Sequence, residues 1–132
     1  MRYMLDTDTC IYAIKGDEGV LWAIRANMND DLYISALTLS ELEFGVRNSS
    51  KPEQNRLALT GFLTMFEVLP YGERAAAEYG VLRAGLQKSG TLIGAMDMLI
   101  SAHAMSEGVA LVTNNIREFG RVEGLSVVNW KK

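Results

Sequence analysis

Five short apolar runs recur along the chain, and between them the apolar spacing changes from continuous stretches to threes and fours. The runs are Tyr3-Met4-Leu5, Leu32-Tyr33-Ile34-Ser35, Phe66-Glu67-Val68-Leu69, Ala110-Leu111-Val112-Thr113 and Leu125-Ser126-Val127-Val128. Strands separated by helices are joined by crossovers rather than hairpins, which lines them up parallel. The pattern predicts an α/β fold in three layers, with a central parallel sheet of four to five strands flanked by helices.

The connecting segments supply the helices. Ile11, Ala13 and Ile14 mark a short one that starts near Thr9 and breaks at Lys15-Gly16-Asp17; Val20, Leu21, Ile24 and Met28 mark the next. Thr38-Leu39-Ser40-Glu41 opens a helix that is expected to carry Leu42, Phe44 and Val46 into the core and to end near Asn48-Ser49. Pro52 at a helix start, with Leu57, Phe62, Leu63 and Phe66 behind it, predicts an antiparallel partner, so the pair forms a hairpin beside the sheet. A long helix from Glu73 to Lys88 stops at Ser89-Gly90; Ala95 to Ser106 reads as a helix buried on most sides, and Ile116 to Phe119 as a helical turn.

With 132 residues, 48% of them hydrophobic, the chain has material for one core, and residues 1–132 read as a single domain. No apolar run approaches the roughly 18 residues of a membrane span, and no leader pattern opens the chain, so a cytoplasmic protein without membrane contact is expected. One cysteine, Cys10, excludes an internal disulfide and a Cys-rich zinc site. One histidine, His103, excludes mechanisms that need two imidazoles. Any hydrolysis must therefore rest on carboxylates. The net charge of -3 argues against a broad basic face for duplex nucleic acid but leaves room for a local rim, with Arg83, Lys88, Arg117, Arg121, Lys131 and Lys132 as its candidates.

Three acids sit where an unpaired charge is expensive. Asp6 ends the first strand, Glu41 lies in the first turn of the helix after the second, and Asp97 is the sole charged residue between Lys88 and Glu107. Asn115 follows the fourth strand. Each has a plainer account: a helix cap for Asp6 or Asp8, a capping box for Thr38-x-x-Glu41, a favourable first-turn charge for Asp97, a turn former for Asn115. His103, about 240° round the helix from Asp97, reads as a core or interface residue, and Cys10 as core. Glu43 is about 200° from Glu41, which leaves Glu41 as the candidate.

Taken together, these positions fall just past strand ends or at helix starts on one side of a parallel sheet, where such folds bind ligands. Carboxylates gathered there would repel one another unless a cation joined them. An oxygen-only set without His or Cys suits Mg²⁺ or Mn²⁺, and such an ion supports attack of water on a phosphate. The residues thus point to metal-dependent phosphoryl chemistry.

The ordered motifs Met4-Leu5-Asp6-Thr7, Ser35-Ala36-Leu37-Thr38-Leu39-Ser40-Glu41-Leu42 with Gly45, Gly94-Ala95-Met96-Asp97 with Ala102-His103-Ala104, and Val112-Thr113-Asn114-Asn115 with Glu118-Phe119 resemble those of PIN-domain ribonucleases, specifically the VapC toxins of toxin-antitoxin pairs. The resemblance runs from residue 2 to Trp130. It implies an endoribonuclease of the PIN fold, with Asp6, Glu41 and Asp97 as ligands of Mg²⁺ or Mn²⁺ and Thr113 and Asn115 in support. It further implies a homodimer, inhibition by a VapB-like antitoxin within a larger assembly, and tRNA, initiator tRNA foremost, as substrate. Two positions depart from the family pattern. Asn115 stands where many PIN nucleases have an acid, and Asp8 stands where the toxins usually have Asn, either supplying that charge or capping the helix. Asp6-Thr7-Asp8-Thr9 also fits the signature of haloacid-dehalogenase-like phosphatases, with Asp6 as nucleophile, although the late acid pair those enzymes need is missing beside Asp97. A non-catalytic PIN-like module that binds RNA or protein is the third reading.

Overall fold

The computed structural model describes residues 1–131; Lys132, a candidate for the basic rim, lies outside the described residues. Five strands, β1 (Arg2–Leu5), β2 (Asp31–Ser35), β3 (Glu67–Leu69), β4 (Ala110–Val112) and β5 (Val127–Val128), form one sheet in the order β3-β2-β1-β4-β5. Every pairing is parallel, with Met4 opposite both Tyr33 and Leu111. The chain winds outward from β1 to β2 and β3, then returns to β1's other edge through β4. The strand order therefore reverses beside β1, and ligand crevices of doubly wound sheets open at such a point, at the carboxyl ends of the strands.

Among the described residues seven helices supply the crossovers: α1 (Thr7–Ile14), α2 (Glu18–Ala26), α3 (Ala36–Arg47), α4 (Pro52–Leu63), α5 (Glu73–Ser89), α6 (Ala95–Glu107) and α7 (Ile116–Phe119). The pleat sends alternate strand residues to opposite faces. Leu5, Leu32, Ile34 and Val112 pack with Cys10, Ala13, Val20 and Ile24 of α1 and α2 and with Leu42, Val46, Leu59 and Phe62 of α3 and α4. Met4, Tyr33 and Leu111 pack on the other side against Ile100, Ala104 and Phe119. Leu82 and Leu86 of α5 cover α6 through Met98 and Ala102, so α6 lies between the sheet and an outer helix. That sandwich explains why its sequence is almost entirely small and apolar.

Some boundaries differ from the periodicity. The third and fifth strands are shorter than their apolar runs: Phe66 stacks on Phe62 with ring centroids 4.7 Å apart, and Leu125 packs into the core before β5 begins. Phe44 is 67% exposed, because α3 turns only one stripe to the core and Leu42 and Val46 occupy it. The helix hairpin is clasped by Arg56 of α4 on Glu43 of α3, through two bonds of 3.0 and 2.6 Å, so Glu43 is committed to structure.

Candidate active site

The carboxyl ends of β1 and β4 place the first acid. Strand β1 stops at Leu5 and the amide of Asp6 still bonds to the Val112 carbonyl at 3.0 Å, so Asp6 lies at the switch point itself. Its side chain caps α1, with Oδ1 accepting from the Thr9 amide at 2.9 Å. The cap is Asp6 rather than Asp8, because the helix begins two residues earlier than its apolar spacing suggests; Asp8 sits exposed in the first turn. Being the cap does not satisfy Asp6. Burial raises its pKa above the ordinary carboxylate range, opposed by bonds from the Thr113 hydroxyl and Thr9, and the nearby charge of Asp8 raises it further.

Asp97 occupies the first turn of α6, half-buried, after the N-cap Gly94. Burial comes first among the causes that push its pKa from 3.8 up to about 7, followed by a hydrogen bond with Glu118 and the charges of Glu118, Asp6 and Asp8. Glu118 belongs to α7 and forms part of the last family motif, although the sequence gives it no site role. It lies three residues after Asn115, whose side-chain amide donates to Glu118 Oε2 at 2.7 Å. The Asn115 backbone N–H donates to the Thr113 hydroxyl oxygen at 3.0 Å, and that hydroxyl bonds to Asp6. One connected chain thus runs from Asp6 through Thr113 and Asn115 to Glu118 and Asp97. The spacing Asn115-x-x-Glu118 was the signal, since residues three apart share a helix face; reading only acids near Asp97 in sequence hides it.

Glu41 is held differently. The expected trio of Asp6, Glu41 and Asp97 does not close into a cage: among the described residues no three His, Cys, Asp or Glu side chains are arranged to hold an ion by themselves. Glu41 instead accepts from the Thr7 hydroxyl at 2.5 Å. Nor does it form a capping box with Thr38, because Ser35 is the N-cap of α3, accepting from the Leu37 amide at 3.1 Å, and Thr38 is already inside the helix. Bare carboxylates repel, so a glutamate with a hydroxyl in reach takes the hydroxyl.

The chemistry of this donor set fits a divalent cation. Asp97 shares a hydrogen bond with Glu118 and feels the charge of Asp6, while none of the ion pairs among the described residues involves these acids. An ion of the Mg²⁺ type needs only one or two carboxylates, keeps most of its water and takes phosphate oxygens for the rest, which suits two crowded acids better than a closed protein cage would. The predicted cations are less concentrated. Arg117 is exposed beside Glu118, and Lys88 is exposed in the last turn of α5, just before the loop that leads to Asp97. Arg83 donates to the Tyr79 hydroxyl at 2.8 Å, Arg121 to the Leu92 carbonyl at 3.3 Å, and Lys131 pairs with Asp17 at 3.9 Å.

A three-layer α/β/α domain with carboxylates near its switch point belongs to the class of sheet proteins whose crevice can take a divalent ion. The PIN domain family model matches residues 3–125, and the chain belongs to that family, within its VapC ribonucleases. It is 41% identical over 131 residues to the tRNA(fMet)-specific endonuclease VapC of Salmonella typhimurium, covering 98% of each chain. It is 40% identical to ribonuclease VapC2 of Rickettsia felis over the whole of both chains. The solved VapBC2 complex of Rickettsia felis, bound to a promoter DNA fragment, superposes with a TM-score of 0.95 at 39% identity, covering 99% of this chain and 100% of that one. PIN-domain ribonucleases generally depend on divalent metal. The phosphatase reading of Asp6 and Asp8 is overturned by this family membership, and Asp8 faces solvent rather than the other acids' hydrogen-bond chain.

Proposed function

We propose that this VapC-family ribonuclease cuts tRNA, initiator tRNA first, and that residues 1–132 act as one PIN domain in the cytoplasm, restrained by a VapB-like antitoxin. The relatives named for tRNA(fMet) cleavage and for VapBC complexes support the substrate and the partner. The observation that supports the chemistry is the hydrogen-bonded set of Thr113, Asn115 and Glu118 beside Asp97, whose carboxyl is pushed up to about 7 and has no ion-pair partner among the described residues.

In this reading Asp6, Asp97 and Glu41 would hold the ion, Mg²⁺ or Mn²⁺. When bound, the ion lowers the pKa of a water and offsets charge developing on the phosphate oxygens. The chain's own residues do the rest. Thr113 donates to Asp6 and fixes the carboxylate's direction. Asn115 steadies Glu118, whose carboxyl shares a hydrogen bond with Asp97 and is placed to take or return a proton there. Arg117, Lys88 and Arg83 meet the phosphate backbone on either side.

The antitoxin is assigned to the apolar groove between α1, α3 and α4, lined by Ile11, Ile14, Leu42, Val46 and Leu59. Glu41 stands at its margin, so a segment lying in the groove also closes the acidic site. The toxin itself is read as a homodimer.

The test incubates purified toxin with initiator tRNA, elongator tRNA and a phosphate monoester, and maps the RNA ends. Cleavage at one site in initiator tRNA that disappears in Asp97→Asn and with chelator is the expected result. Monoester hydrolysis without RNA cutting would overturn the assignment.

A further inference from the structure

Thr7 is the first residue of α1 and follows Asp6 directly, yet its hydroxyl takes no part in capping the helix, a role Asp6 fills. Instead Oγ1 reaches across to α3, 34 residues away in sequence, and donates to Glu41 Oε1 at 2.5 Å. The separation falls in the range of hydroxyl-to-carboxylate bonds, shorter than those between neutral groups. The hydroxyl has one proton, and the carboxylate takes it. The neighbouring Thr38 hydroxyl, 3.3 Å away and fully buried, is then left to donate to Thr7. Two threonines therefore form a directed chain that ends on Glu41.

Packing does not require this arrangement. Thr7 is half-buried, and valine would fill the same volume with the same branched backbone preference. What valine lacks is the proton that fixes the carboxylate. Glu41 has three rotatable bonds and stands at the margin of an open groove, so without a donor its carboxylate has no fixed position.

We propose that Thr7 is a positioning residue, whose hydroxyl holds the Glu41 carboxylate at the rim of the acidic centre in the place where it serves the reaction. The proposal rests on the nuclease reading above and extends it to a residue that touches neither ion nor RNA.

The experiment compares Thr7→Val, Thr7→Ser, Glu41→Gln and the Thr7→Val/Glu41→Gln double variant. Three quantities are read: kcat and KM for tRNA cleavage, Mn²⁺ affinity of the free toxin by calorimetry, and melting temperature. Thr7→Ala is run alongside, so that a valine variant that melts early does not decide the outcome. Thr7→Val is expected to lower kcat about tenfold, as loss of a partner that orients a metal-site carboxylate does, with KM nearly unchanged. Thr7→Ser keeps the proton and restores the rate. The double variant cuts no more slowly than Glu41→Gln alone, because the hydroxyl acts only through that carboxylate. Thr7→Val and Glu41→Gln weaken Mn²⁺ binding to a similar degree, and Thr7→Ser does not.

Multiplying losses in the double variant, or a serine variant as impaired as the valine, would overturn the proposal. A Thr7→Val that loses activity while Glu41→Gln keeps it would also overturn it, leaving the nuclease reading intact. A parent that cuts no RNA ends the nuclease reading instead, and the Mn²⁺ titrations then still decide whether Thr7 acts through Glu41.

Discussion

Helix α6 carries two titratable side chains six residues apart, Asp97 and His103, and they have opposite fates. His103 is fully buried, its Nδ1 lies 2.7 Å from the hydroxyl of Ser35, and Tyr71 meets its ring edge-on at 5.4 Å. Burial lowers its pKa, so it stays neutral and fits the interior. Asp97 is only half-buried, yet it sits against Glu118 and within reach of the charges of Asp6 and Asp8, and its pKa rises to about 7. The first is a neutral ring tied through Nδ1 to the cap of α3, although its buried Nε2 meets no hydrogen-bond partner among the described residues. The second stands among like charges and takes part in none of the ion pairs among the described residues, and a perturbed carboxyl of that kind marks a candidate site rather than a tie between helices.

The largest effect expected from this contrast follows Asp97→Asn. Cleavage should fall by roughly 10³-fold or more, in line with removing a group that stabilises transition-state charge directly. At the same time the metal-free protein should melt a few degrees higher at pH 8, because an amide of equal size removes the repulsion. Loss of both activity and stability would mean that the acid is structural, and the contrast with His103 would collapse.

His103→Ala should show the reverse pattern. It leaves a cavity and deprives Ser35, the cap of α3, of its partner, a loss of about 3 kcal/mol and roughly 10 °C in melting temperature. The rate per folded molecule, measured at low temperature, should stay near that of the parent. The pH dependences sharpen the comparison. A raised folded pKa means that the fold binds Asp97's proton more tightly than the unfolded chain. Its stabilising share is complete below about pH 4 and is lost as pH rises towards about 7. His103 has a lowered folded pKa, so its share is present above about pH 6.5 and is lost as pH falls below that value. Melting curves in chelator from pH 4 to 8 should therefore show the gain of Asp97→Asn growing with pH. The deficit of His103→Ala should shrink below pH 6.5. A flat difference in either series would contradict the assigned burial.

Glu118→Gln is expected to have an intermediate effect. It removes one of the charges that hold Asp97's proton in place and keeps a side chain able to bond with Asn115. The pH midpoint of cleavage should move down, and the rate should fall about tenfold if Glu118 handles a proton during the reaction. An unchanged midpoint would show that burial alone sets Asp97's pKa.

Much of this was legible in the residues. The alternation of apolar runs and helical spacing carried the sheet, and the placement of Asp6, Asp97, Thr113 and Asn115 past strand ends carried their convergence. What stayed hidden depends on contacts made after folding. Asp6 as both cap and site acid needs the true start of α1; Glu41 turning to Thr7 needs the crossing of α1 and α3; Glu118 needs the short helix α7 to bring its face round to Asp97. Phe44 failed for a simpler reason, since periodicity marks a stripe as apolar without saying which stripe faces the sheet.

The smallest expected effect separates the basic residues from the acidic centre. Arg117 is exposed beside Glu118, whereas Arg83 is engaged with the hydroxyl and ring of Tyr79 on the outer helix. A phosphate contact contributes through counterion release, so Arg117→Ala should raise KM about twofold to fivefold and reduce the salt dependence of binding by about one ion. Arg83→Ala should do less, because its guanidinium already has a partner to leave. Neither variant should alter kcat, since phosphate contacts position RNA without joining the reaction. Binding of tRNA to the inactive Asp97→Asn background, measured from about 50 to 200 mM salt, reads these slopes directly. A steeper loss with Arg83 than with Arg117 would move the RNA path away from the α7 side of the cleft and onto the outer face of α5.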